Sequence, residues 1–189
     1  EVKRMTDRGD LLPNTPTPAS LGYRMPAEWE EHEATWIAWP HQREDWPGKF
    51  EPIPWVYVEI VRWLHRSERV RLVTGPAEQE QARDMLQRGG IDLSRVDFVD
   101  LPTDRVWLRY SGAIFVRDGG GRRAALDWHF NAWAKYDNFA LDREVPARMA
   151  SVSDLPMVQA LRHDNGAPLV LEGGGIETDG RGTMLVTEE

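Results

Sequence analysis

The order of apolar runs along this 189-residue sequence predicts a mixed α/β fold. Three observations carry the prediction. Short strand-like runs alternate with segments of helical spacing. Two of those helical segments open on proline, at Pro54 and Pro76, where a first turn tolerates it. A glycine reversal, Asp118–Gly121, joins two further strand-like stretches.

Thr35–Trp39 is a short apolar run closed by Pro40 and reads as a buried strand. Pro54–Arg66 follows as an amphipathic helix, with Val56, Ile60, Trp63 and Leu64 recurring near helical spacing. Arg69–Val73 is a strand. Pro76–Arg88 is a second helix, with Ala82, Met85 and Leu86 inward and Gly89–Gly90 as its stop. Arg95–Leu101 sets Val96, Phe98 and Val99 against Asp97 and Asp100, a strand ended by Pro102. Ala113–Arg117 and Arg123–Trp128 form a hairpin about Asp118–Gly121, because glycine tolerates the positive φ of a tight reversal. Leu141–Ala150 is a helix in which Pro146 starts the true first turn. Pro156–Leu161, Leu169–Glu172, Gly175–Thr178 and Thr183–Val186 finish as short strands. Neither Asp118–Gly121 nor Gly173–Gly175 leads into a helix, so these glycines are not phosphate loops.

The length suits one ordinary domain, and an apolar share of 41% supports a packed core. Glu1–Tyr23 is polar, with Pro13, Pro16 and Pro18 close together, and reads as a flexible arm (residues 1–23) ahead of one domain (residues 24–189). The end at Thr187–Glu189, directly after a strand-like run, reads as a cut. A net charge of -8 argues against nucleic acid, which needs clustered Lys and Arg. With no cysteine there is no disulfide, no thiolate metal site and no cysteine nucleophile in this chain. His32 and His41 lack a metal spacing and His65, His129 and His163 are isolated, so no metal is expected. No stretch resembles a signal peptide or a membrane span, and a soluble cytoplasmic protein is expected, with no membrane partner.

The chemistry-bearing residues suggest a planar cation. A guanidinium is rich in N–H donors; carboxylates grip it in bidentate fashion and aromatic faces stack on it. Asp104, Trp107 and Arg109 lie in a loop between two strands, where sites collect. Trp107 either stacks on a ligand or is a core tryptophan beside a surface ion pair, and the bare residues favour the latter. Asp104 pairs either with Arg109 or with a ligand. Glu172 ends the apolar run Leu169–Leu171 and precedes three glycines. A carboxylate there is costly unless paired, so it meets either a ligand or the backbone amides of a turn, and the residues alone do not separate the two. Met25–Pro40 gathers Trp29, Trp36 and Trp39 about His32 and reads as packed core with a satisfied histidine.

Several segments, in order, resemble the agmatine deiminase and bacterial peptidylarginine deiminase family. They are MPAEWEEHEATWIAWP (Met25–Pro40), LDWHFNAWAKYDN (Leu126–Asn138) and LVLEGGGIETDGRGT (Leu169–Thr183). The resemblance runs from Met25 to Glu189. It implies the pentein fold, an α/β propeller of five ββαβ-like modules around a central site, here incomplete at about two to three modules. It implies conversion of agmatine and water to N-carbamoylputrescine and ammonia, a step toward putrescine, through a covalent amidino-thioether on cysteine and without metal or organic cofactor. Some bacterial relatives act on peptidylarginine, and members often form homo-oligomers.

Carried over residue by residue, Trp107 matches the pocket-lining tryptophan of the family's W-x-R-D signature and Arg109 its arginine. Glu172 matches the guanidinium-binding glutamate of the E-G-G signature. Tyr110 stands where the family has an aspartate, and a phenol offers one oxygen and no carboxylate charge. Ala113 replaces the family's proline. The glycine–histidine–x–aspartate segment and the cysteine nucleophile are absent from this sequence, so the expected set is substrate-binding alone: Asp104, Trp107, Arg109, Tyr110 and Glu172. The expectation is the N-terminal portion of an agmatine deiminase-like amidinohydrolase, inactive alone, with a small guanidino substrate as partner. The alternatives are a protein-arginine deiminase of the same family and a non-catalytic guanidinium- or amine-binding module.

Overall fold

The computed structural model describes residues 16–162 and 164–187. Residues 1–15 of the expected arm, and His163, lie outside the described residues. The chain divides into two compact units, one of residues 31–108 and 138–142, the other of residues 16–30, 109–137 and 143–187.

The first unit is built on a parallel sheet of order β1-β2-β3, with β1 at Ala34–Ala38, β2 at Arg69–Thr74 and β3 at Val96–Asp100. Leu72 sits opposite Ile37 on one side and Phe98 on the other. Parallel strands need crossovers, and these are supplied by α1 (Ile53–Leu64) and α2 (Pro76–Arg88). Both helices carry proline in their first two positions, where no intrahelical N–H is required. Trp39, Val58, Val61, Leu72, Leu86 and Val96 belong to one buried cluster. The strand expected at Thr35–Trp39 is present, but only its end is fully buried; Trp39 and Pro40 lie in the core just beyond it.

The two helices show where periodicity suffices and where it does not. α2 has the expected span and inward face, Ala82, Met85 and Leu86. Its stop is enforced by packing, since a Cβ on Gly89 would lie 2.5 Å from Val58 Cγ1, and Gly90 takes φ +72°. α1 has the expected place but a different face. Pro54, Val58 and Val61 are buried, whereas Val56, Ile60 and Trp63 are exposed, Trp63 by 64%. Residues 53–64 are apolar at almost every position, so spacing alone does not choose between stripes. Trp29 and His32 are also exposed rather than part of a packed core; His32 lies 3.3 Å from Glu68.

The second unit takes in residues 16–30 and resumes at Arg109, within the single turn α3 (Leu108–Ser111). The expected hairpin follows as β4 (Ile114–Arg117) and β5 (Arg123–Asp127), antiparallel. Asp118 closes its turn: Oδ1 accepts the amides of Gly120 and Arg122 at 2.9 and 2.8 Å, and Oδ2 accepts Arg122 Nε at 2.6 Å. α4 (Val145–Val152) begins at Pro146's turn, as expected, and packs on β5; β6 (Met157–Gln159) pairs parallel to β5. β7 (Ile176–Thr178) and β8 (Met184–Val186) form an antiparallel ribbon.

One expected strand is missing. Residues 169–172 make a single bridge, Val170 to His129. The ladder stops because Asn131, two residues past His129, has left the extended region (φ −123°, ψ 11°). Among the described residues the sheets are open, and no helix is long and apolar enough to cross a membrane.

Candidate functional site

The five residues singled out from the sequence divide between the units. Asp104 and Trp107 belong to the first, and Arg109, Tyr110 and Glu172 to the second.

In the second unit, among the described residues, Glu172 neither pairs with a cation nor caps the glycine turn that follows it. Its Oε1 accepts the indole N–H of Trp133 at 2.6 Å. Its Oε2 is buried and has no hydrogen-bond partner among the described residues. A buried carboxylate oxygen without a donor costs free energy, so this one stands out among the acidic side chains of the unit. Aromatic rings gather beside it. Trp133 meets Tyr110 edge-on at 5.2 Å, Phe130 at 5.6 Å and Tyr136 at 6.2 Å. Tyr110 reaches this position only because residue 174 is glycine: a Cβ there would lie 2.2 Å from the tyrosine ring. Gly173 is needed for a similar reason, since its Cβ would lie 2.7 Å from the Arg109 carbonyl oxygen. Arg109 is exposed and pairs with Glu28, with Glu177 at 4.0 Å. Arg109, one of the two partners open to Asp104 from the sequence, thus pairs with other carboxylates.

Trp133 is held in an unusual backbone. Ala132, Trp133 and Ala134 have φ of 51°, 57° and 54°, a left-handed turn without glycine. Among the described residues only one other non-glycine, Asp154, has positive φ. Each such residue costs about 1–2 kcal/mol, because Cβ crowds the following carbonyl. Asn131 Oδ1 offsets part of this by accepting the Trp133 amide at 2.9 Å. Ala134 is exposed, so Ala134→Gly loses no packing. It is expected to raise the unfolding free energy by about 1 kcal/mol in a denaturant titration. A variant no more stable than the parent would contradict the strain.

In the first unit Asp104 and Trp107 flank Arg105, a residue the sequence reading passed over. Arg105 is buried; it pairs with buried Asp45, and its Nη2 donates to Asn138 Oδ1 at 2.9 Å. Its guanidinium lies 5.1 Å from the Trp107 ring centre, so Trp107 already carries a cation of the protein's own. Trp107 is half-buried, and the ion pair beside it is internal rather than on the surface. Buried Asp142 accepts the amides of Asp104 and Arg105 at 2.8 and 3.2 Å, and Asp104 accepts the amide of Leu141 at 2.8 Å. Asp104 is therefore a brace of the loop. Burial pushes the Asp142 carboxyl up to about 6, against the amide bonds that pull it down.

The second unit also contains a polar cavity of about 180 Å³ lined by Asp127, Trp128, His129 and Arg143 among others. Burial raises the Asp127 carboxyl, and the Trp128 indole N–H is buried without an acceptor among the described residues. No group of three or more His, Asp or Glu among the described residues is placed to hold a metal ion.

Fold and residues together define an α/β protein with a carboxylate set among aromatic rings, the chemistry that suits a flat cation. The chain belongs to the Porphyromonas-type peptidyl-arginine deiminase family, which residues 24–189 match. A Streptomyces avermitilis relative is 38% identical over 176 residues, covering 91% of this chain and 47% of its own length. The agmatine deiminase of Pseudomonas aeruginosa strain LESB58 is 33% identical over 180 residues, covering 93% of this chain and 46% of the relative. The solved agmatine deiminase of Enterococcus faecalis superposes with a TM-score of 0.80 at 25% identity, over 93% of this chain and 46% of that one. The mixed α/β fold is therefore similar to that of agmatine deiminase structures, and the chain spans about half the length of the curated relatives it matches.

Proposed function

We propose that this chain supplies the N-terminal, guanidinium-binding portion of an agmatine deiminase-like amidinohydrolase, whose whole reaction is agmatine plus water to N-carbamoylputrescine plus ammonia. The observation that carries this is Glu172, with one oxygen pinned by Trp133 and the other buried and unsatisfied. A planar cation with two adjacent N–H donors satisfies that oxygen and restores charge balance. Likeness to the Pseudomonas aeruginosa and Enterococcus faecalis proteins, both named agmatine deiminases, supports the substrate.

The chain itself holds no cysteine, so it binds and does not turn over. In this reading Tyr110 weakens the grip, because it brings an aromatic edge where the resemblance calls for a second carboxylate. The same reading includes a partial deiminase domain at residues 24–189 with about two to three propeller modules, and a cytoplasmic, homo-oligomeric setting. The family description supports a second substrate, the arginine side chain of a peptide, which presents the same guanidinium.

Calorimetry separates these. Agmatine is expected to bind this chain, and Glu172→Gln to weaken it by about tenfold to a hundredfold, the loss of one charge-assisted partner. Stronger heat with a peptidyl-arginine probe than with agmatine would favour the second substrate. No heat with either, on folded protein, would reject guanidinium binding. Ammonia release by the chain alone would reject the division between binding and chemistry.

A further inference from the structure

We propose that Trp133 is a positioning residue that aims Glu172 at the ligand. This rests on the reading of Glu172 as the cation's partner, and it assigns the device that orients that carboxylate. The contact is a 2.6 Å bond from indole N–H to Oε1, and the oxygen it leaves over is the buried, unsatisfied one.

The chemistry of the donor matters. An indole N–H can only donate, so it fixes the carboxylate's orientation without a competing arrangement. It is also neutral. An arginine or lysine in its place would cancel the charge that a cationic ligand needs, whereas the indole restrains the carboxylate and leaves that charge for the ligand.

The backbone points the same way. Trp133 is 40% exposed, so burial of its ring does not by itself explain a left-handed turn of three non-glycine residues. Strain of this kind persists where the surroundings over-determine it. Here the Asn131 cap, the edge contacts to Phe130 and Tyr110 and the bond to Glu172 all fix the indole in one pose. The turn directs N–H of the ring toward the carboxylate, which a right-handed continuation from Asn131 would carry elsewhere.

The test uses the whole chain and Trp133→Phe, which keeps an aromatic ring and deletes the N–H. Agmatine affinity measured by calorimetry is expected to fall about tenfold. In a nitrogen–proton NMR spectrum the indole signal that disappears in Trp133→Phe identifies Trp133. In the parent chain that signal is expected to be shifted downfield and protected from exchange, and in Glu172→Gln to move and lose protection. The NMR arm stands even if Trp133→Phe fails to fold, because indole signals that all stay in place in Glu172→Gln would overturn the assignment. Unchanged agmatine affinity in folded Trp133→Phe would overturn it too. Absence of agmatine binding by the parent chain instead overturns the guanidinium reading, and with it the purpose assigned to Trp133.

Discussion

Arg105→Ala is expected to destabilise the first unit by about 3–5 kcal/mol, the usual cost of removing one partner from a buried ion pair. Asp45 and Arg105 are both buried, and Asp45 Oδ2 already lacks a hydrogen-bond partner among the described residues. Removing the guanidinium leaves Asp45 an uncompensated charge and deprives Asn138 of its donor. It also takes the cation off the Trp107 ring. Urea unfolding followed by tryptophan emission reads the loss. A change below about 1 kcal/mol would mean that solvent reaches the pair. Replacing both partners with apolar residues, as in Asp45→Leu with Arg105→Met, is expected to be better tolerated than Arg105→Ala, because no unpaired charge remains.

Asp142 is expected to make the same unit less stable as pH rises from about 4 to 7. Desolvation lifts its carboxyl from the ordinary 3.8 to about 6, with the Arg105 and Asp104 amides and the His41 charge opposing, and the Asp104 charge adding to the rise. Between those values the folded protein holds a proton that the unfolded chain has released. Stability is then fully present below 3.8 and is lost as pH rises through about 6, by an amount on the order of 3 kcal/mol. Carboxylates held low by partners act in the other direction and in a lower window. Glu30, kept at about 2 by Arg24 and the Ala27 amide, and Asp97, lowered by Arg69, lose their contribution only as the medium becomes more acidic than an ordinary carboxylate pKa. Asp142→Asn isolates the effect, since an amide oxygen can still accept both backbone N–H groups. The difference in unfolding free energy between parent and variant should fall across pH 4–7. A flat difference would show that Asp142 is solvated.

Legibility followed the range of the interactions. α2 was readable in full because its start, inward face and stop are local: Pro76, the Ala82–Met85–Leu86 stripe and the glycine pair. α1 was readable as a helix but not in its orientation, because an apolar residue at nearly every position leaves the buried face to its packing partners. The strand expected at Leu169–Glu172 depended on a neighbour, and that neighbour turns away at Asn131. In the candidate site, Glu172 was legible as a carboxylate in need of a partner. The partner itself, Trp133, lies 39 residues away in a turn of alanines, which by propensity signal a right-handed helix. Arg105 gave no signal at all, since its counter-ion Asp45 is 60 residues distant.

What the chain carried in its residues alone was an alternation of helix and strand, a family likeness and the absence of a thiol, all of which are properties of neighbouring positions or of composition. What needed three dimensions was which oxygen of Glu172 is held and which is buried without a donor among the described residues, and that Asp104 and Trp107 belong to a loop braced by a buried arginine. Those depend on contacts between distant segments, where desolvation and hydrogen-bond geometry, rather than local spacing, decide the energy.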